Sequence, residues 1–101
     1  MSVEINKELR RAVDTGKVLF GSKVALEHAM HGTAQAVICA YNLPKEEKAK
    51  IEHSAKLSNV PFYASPNTGL ELGEVCGKPF NIGSATVMDA GRSKVVQAIK
   101  Q

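Results

Sequence analysis

Residues 16–44 read GKVLFGSKVALEHAMHGTAQAVICAYNLP, and the order of patterns within them decides the fold class. Val18-Leu19-Phe20 is a short apolar run closed by Gly21, which reads as a buried strand. Ser22 then stands as the N-cap of a helix running to about His31, where Gly32 stops it. Ala34–Ala40 (AQAVICA) is almost wholly apolar, as expected of a strand covered on both faces. Asn42-Leu43-Pro44 turns the chain, and Pro44 suits the first turn of the next helix.

The alternation continues outward in both directions. Ile5, Leu9 and Val13 recur every four residues among Lys7, Glu8, Arg10 and Arg11, an amphipathic helix that Asp14-Thr15-Gly16 ends. Lys45–Leu57 reads as a helix with Ile51 and Ala55 on one side. Val60–Ala64 (VPFYA) is a short strand whose Pro61 argues for a sheet edge or a strand start. After the Ser65-Pro66-Asn67 loop, Thr68 and Glu71 fit a capping box for a helix with a Leu72, Val75 and Cys76 stripe, ended by Gly77. Ile82–Met88 (IGSATVM) is a further strand turned by Asp89-Ala90-Gly91, and the tail Ser93–Ile99 is compatible with strand or helix. The pattern predicts an α/β domain over residues 1–101, with helices on both faces of one small sheet. Its working surface should lie beyond the strand ends, at Gly21-Ser22-Lys23, Tyr41-Asn42-Leu43 and Ser65-Pro66-Asn67. If the last strand runs antiparallel to the others, the Lys78–Ile82 loop reaches the same edge.

Composition narrows the function classes. With 44% apolar and 23% charged residues among 101, the chain is neither a disordered tail, a collagen-like fibre nor a low-complexity array. No run approaches the roughly 20 apolar residues of a membrane-spanning helix. The start, MSVEINKELRR, lacks the apolar stretch of a secretory signal. Cys39 and Cys76 both sit in apolar runs and suggest no disulfide framework, so a cytoplasmic protein is the default. A net charge of +3 suits a small, local nucleic-acid contact, or merely solubility.

Several chemistries lack their sequence signatures. Gly16–Lys23 resembles a phosphate-cradling loop, but its lysine comes one position late and Val18–Phe20 looks like a strand. His28, His31, His53, Cys39 and Cys76 lack the tight paired spacing of a zinc site. Nothing local, such as a GxSxG elbow, fixes a nucleophile. The expectation is therefore no catalytic residues, no metal and no cofactor.

One constellation remains. Gly21 lets a backbone come close to a ligand, and a helix beginning at Ser22 points free amides outward. Lys23 adds a cation where a phosphate would sit, and Asn42 offers both donor and acceptor to a base edge. Phe80, in the loop after Gly77, can cover an unstacked base. Each residue has a structural reading alone: a capping glycine, a solvated lysine, a turn asparagine, a core phenylalanine. Together, at one edge, they favour a small RNA site.

The blocks ELRRAVDTGKVLFGSK, AYN, IEHSAKLSNVPFY, LELGEVCGKPF and DAG resemble the archaeal and eukaryotic large-subunit ribosomal branch called L "thirty-e", within the kink-turn RNA-binding superfamily. The likeness runs through nearly the whole chain. It implies a three-layer α-β-α sandwich with one four-stranded mixed sheet. It also implies binding of a sharply bent, purine-rich internal loop of ribosomal RNA, in the large subunit of the cytoplasmic ribosome among neighbouring ribosomal proteins. The RNA-binding positions implied are Gly21, Ser22 and Lys23, then Asn42, then Phe80 with Asn81 and Ile82, with Lys78 as a phosphate contact. Two departures stand out: Leu26 and Glu27 occupy a helix turn where the superfamily often has a second basic residue, and Glu46 and Glu47 follow the Asn42 turn. The protein is expected to be non-enzymatic, free of membranes and monomeric when unbound. A non-ribosomal kink-turn protein and a protein-interaction module without RNA are the alternatives.

Overall fold

A computed structural model describes residues 5–100 of the chain. The elements are α1 (Ile5–Thr15), β1 (Lys17–Phe20), α2 (Ser22–His31), β2 (Ala36–Cys39), α3 (Lys45–Leu57), β3 (Phe62–Ala64), α4 (Gly69–Val75), β4 (Ser84–Asp89) and α5 (Val95–Lys100). The open tail is thus a short helix, and the strand expected over residues 34–40 is trimmed at both ends.

The sheet order is β1-β4-β2-β3, with β4 antiparallel to both β1 and β2 and with β2 parallel to β3. The mixed four-stranded sheet expected from the resemblance is what forms. β3 lies on the edge, where Pro61 interrupts no ladder by lacking an N–H, while its carbonyl accepts from the Val37 N–H at 2.9 Å.

Alternation along β2 divides the core in two. Ala36, Ile38 and Ala40 join Leu9, Ala12, Leu72, Cys76 and Val95 from α1, α4 and α5 on one face. Val37 and Cys39 join Ala25, Ala29, Ile51 and Ala55 from α2 and α3 on the other. Side chains of successive strand residues point to opposite faces, so a strand with no polar position serves two helix layers at once. Burying each of Leu9, Ile51 and Leu72 contributes about 1.5–3 kcal/mol.

α5 has one polar anchor. The Glu8 carboxylate, on the otherwise apolar face of α1, is buried. It accepts from the Lys94 N–H at 2.8 Å, lies 3.6 Å from Arg11 Nη1, and Ser93 Oγ donates to the Glu8 carbonyl. The Lys94 amide bond holds the Glu8 carboxyl below its ordinary value, with Arg11 and Ser93 adding to this against the opposing effect of burial. The native state thus favours the ionised form, and its contribution to stability is full above the ordinary carboxylate range and fades as the pH falls through the depressed value. We expect Glu8→Ala to lower the melting temperature most near neutrality, with the gap to wild type shrinking on acidification. Thermal unfolding followed by circular dichroism across that range checks this; a gap independent of pH would contradict it.

Candidate nucleic-acid interface

The geometry begins with the register of β4. Phe20 pairs with Ala85, Cys39 with Ser84, and Ala64 with Cys39, so the C-terminal ends of β1, β2 and β3 meet the N-terminal end of β4. The loops after the three strands and the loop before β4 therefore share one edge, because β4 does run antiparallel to its neighbours. Ser84 ties them together. Its carbonyl accepts the Gly21 N–H at 3.0 Å, and its hydroxyl lies 3.5 Å from Ser22 Oγ and 3.7 Å from Cys39 Sγ.

The cap of α2 lies one residue earlier than its sequence suggests. Gly21, not Ser22, is the N-cap, at φ 117° and ψ 144°, a left-handed conformation that only glycine adopts without strain. Ser22 is already helical and its hydroxyl turns toward Ser84, so α2 begins with no side-chain cap. Its first turn carries no acidic residue, and exposed Lys23 sits there instead. The free N–H groups and the helix dipole make this end positive, and Lys23 adds to it. Of the other helices of the edge, α4 has a full Thr68/Glu71 capping box, while α3, which also starts without a side-chain cap, has Glu46 and Glu47 in its first turn. Of these three, only α2 has neither a side-chain cap nor a carboxylate in its first turn, which leaves its end open to an anion.

Asn42 is exposed at the turn after β2, but its Oδ1 accepts the Gly69 N–H at 2.9 Å. The expected donor-and-acceptor pair is thus half committed to the fold. The bond fixes the carboxamide plane and leaves the NH₂ as the free end, which suits an acceptor on the ligand. Phe80 is half exposed and meets Phe20 edge-on, with centroids 6.4 Å apart at 76°. Lys78 Nζ lies 5.9 Å from the centre of the Phe20 ring, so cation and aromatic pair sit together at the end of β1. Asn81 is exposed.

Ile82 is a correction. Only 1% of it is accessible, and its side chain packs in the core beside Leu72 and Ala85. It can shape the loop but cannot touch RNA with its side chain. What holds that loop was not apparent from the sequence: the Gly69 carbonyl accepts the Ile82 N–H at 2.9 Å, and a Cβ on Gly73 would lie 2.0 Å from the Phe80 carbonyl oxygen. Gly69 and Gly73 stand four apart on α4, on the helix face that the loop backbone crosses. That spacing was the available signal.

The cysteines belong to the core. Burial pushes both the Cys39 and the Cys76 thiol up to about 11, which withholds the reactive thiolate. Among the described residues no group of three or more His, Cys, Asp or Glu is placed to hold a metal ion. A cleft of about 240 Å³ between α2 and α3 opens beside Lys23, lined also by Ser22, Leu26, Glu47, Lys50 and Ile51. Glu47 there bounds the positive surface on its α3 side.

Residues 3–97 match the family described as ribosomal protein L7Ae/L30e/S12e/Gadd45. The chain belongs to this family. It is 42% identical over 100 residues to large ribosomal subunit protein eL30 of Methanocaldococcus jannaschii, covering 99% of this chain and 91% of that one. The eL30 of Methanothermobacter thermautotrophicus is 40% identical, with 96% and 99% covered, and that of Saccharolobus solfataricus is 40% identical, with 98% and 92% covered. A solved structure of a Bacillus halodurans protein of unknown function superposes with a TM-score of 0.80 at 22% identity, covering 97% of this chain and 98% of that one, which speaks for the fold.

Because Gly73 admits the Phe80 carbonyl where any side chain would stand, Gly73→Ala should displace the loop at residues 78–82 and lower the melting temperature. Amide and ring NMR shifts of Phe20, Phe80 and Asn81 should move together. Unchanged shifts at these positions would show that the loop does not depend on this approach.

Proposed function

We propose that this protein is an RNA-binding structural component of the large ribosomal subunit, acting in the cytoplasm, and that it holds a kink-turn in ribosomal RNA. The observation that carries this reading is the open, positive start of α2, set at the same sheet edge as the Asn42 amide and the Phe80 ring. A sharply bent RNA crowds phosphates at its bend and turns bases out of the stack. The α2 amides and Lys23 provide for the first, and the amide donor and the ring provide for the second. The full-length similarity to proteins named large ribosomal subunit protein eL30 supports the ribosomal setting.

In this reading residues 1–101 act as one domain, monomeric when free, with neighbouring ribosomal proteins as further partners and no reaction to catalyse. Backbone N–H groups of Ser22 and Lys23, with the Lys23 and Lys78 ammonium groups, hold phosphates. The Asn42 NH₂ donates to an acceptor on a base edge, and Phe80 packs on an exposed base or sugar beside Asn81. Ile82 contributes only by seating the loop in the core.

Gel shifts with a purine-rich kinked internal loop, against a straight duplex, test the proposal. Asn42→Asp keeps an acceptor for the Gly69 N–H but removes the donor, so it should fold normally and lose about 1–3 kcal/mol of binding to the kinked loop. Lys23→Ala should weaken binding and reduce the slope of log affinity against log salt by about 1. Wild-type protein that binds kinked loop and straight duplex equally well sinks the reading.

A further inference from the structure

The residues of the proposed interface leave out the most exposed aromatic side chain beside them. Tyr41 directly precedes Asn42, and 68% of it faces solvent. No core contact requires the ring, yet its backbone is held on every side. The Ala40 N–H donates to the Gly83 carbonyl at 2.8 Å, the Tyr41 N–H to the Asn67 carbonyl at 2.7 Å, and Asn42 is pinned to Gly69. Leu43, next along, is buried. The ring therefore stands on a rigid base with only its own side-chain torsions free, so ordering it on a ligand costs little entropy. Lys48 of α3 brings its ammonium to 6.0 Å from the ring centroid.

We infer that Tyr41 is a stacking platform for an unpaired nucleotide of the bound RNA, with Lys48 holding that nucleotide's phosphate. This rests on the RNA reading above and extends it. A flat π face and a cation beside a free amide donor form the set that receives an unstacked base with its charge. A protein partner would call for an apolar surround, whereas Tyr41 is bordered by Asn42 and Lys48. Phe80 packs against Phe20 at the end of β1, while Tyr41 follows β2, two strand positions away across β4. At the spacing of strands that is about 10 Å, enough for the two rings to serve different nucleotides.

The test measures binding of the full chain to the kinked internal loop and to the straight duplex, with 2-aminopurine placed in turn at the loop positions. Tyr41→Ala should weaken kinked-loop binding about tenfold and Tyr41→Phe should stay within about twofold, with duplex binding unchanged. One 2-aminopurine position should be quenched by wild type and by Tyr41→Phe but not by Tyr41→Ala. Melting temperatures should agree, because the ring supports no packing. Tyr41→Ala binding as tightly as wild type, while Asn42→Asp still fails, overturns the platform and leaves the interface standing; a ring that faces a protein gives that same result. Equal losses in Tyr41→Ala and Tyr41→Phe also overturn it, since the hydroxyl would then be the contact. A wild-type chain with no preference for the kinked loop ends both readings.

Discussion

The antiparallel insertion of β4 between β1 and β2 is the constraint on which the functional edge depends. A fully parallel sheet would carry the loop before its last strand to the opposite end of the molecule. Reversed, β4 begins where β1, β2 and β3 finish, and Ser84 sits at the junction, accepting from Gly21 and lying against Ser22 and Cys39. The loop that carries Lys78, Phe80 and Asn81 then reaches the turn that carries Lys23. Two glycines on α4 complete the approach, one accepting from Ile82 and the other yielding its side-chain space to the Phe80 carbonyl.

Electrostatics acts on this scaffold selectively. Helix ends are normally neutralised, as in the capping box of α4 and the glutamates that open α3. α2 has no such neutraliser: its glycine cap makes no side-chain bond, its first turn has no acidic residue, and Lys23 stands there. A lysine in a first turn is unfavourable against the helix dipole. A phosphate at that end offsets this, so the start of α2 is coherent with a ligand that brings the charge.

Much of the architecture is legible in the sequence because the relevant signals are local. The Lys45–Leu57 helix has the expected bounds, the Thr68/Glu71 box closes as read, and Pro61 does mark an edge strand. The misreadings share a different cause. Ser22 is a good N-cap residue in general, but a glycine at positive φ precedes it and a strand hydroxyl attracts its side chain. Ile82 is adjacent to a loop, and whether its side chain enters the core depends on where β4 begins pairing. Asn42 presents half of its amide because Gly69, 27 residues on, takes the other half. The tail stayed open because α5 is short and its start is held by Glu8, far away in the chain.

Periodicity, breakers and capping residues are properties of neighbouring positions. They were enough to specify the alternation of helices and strands, the two-sided burial of β2 and the loops worth watching. Which loops touch, which side chains the core takes in, and which polar atoms are already occupied follow from contacts between distant segments. Those contacts exist only once β4 has paired on both sides, because its register alone aligns strand ends that the chain keeps tens of residues apart.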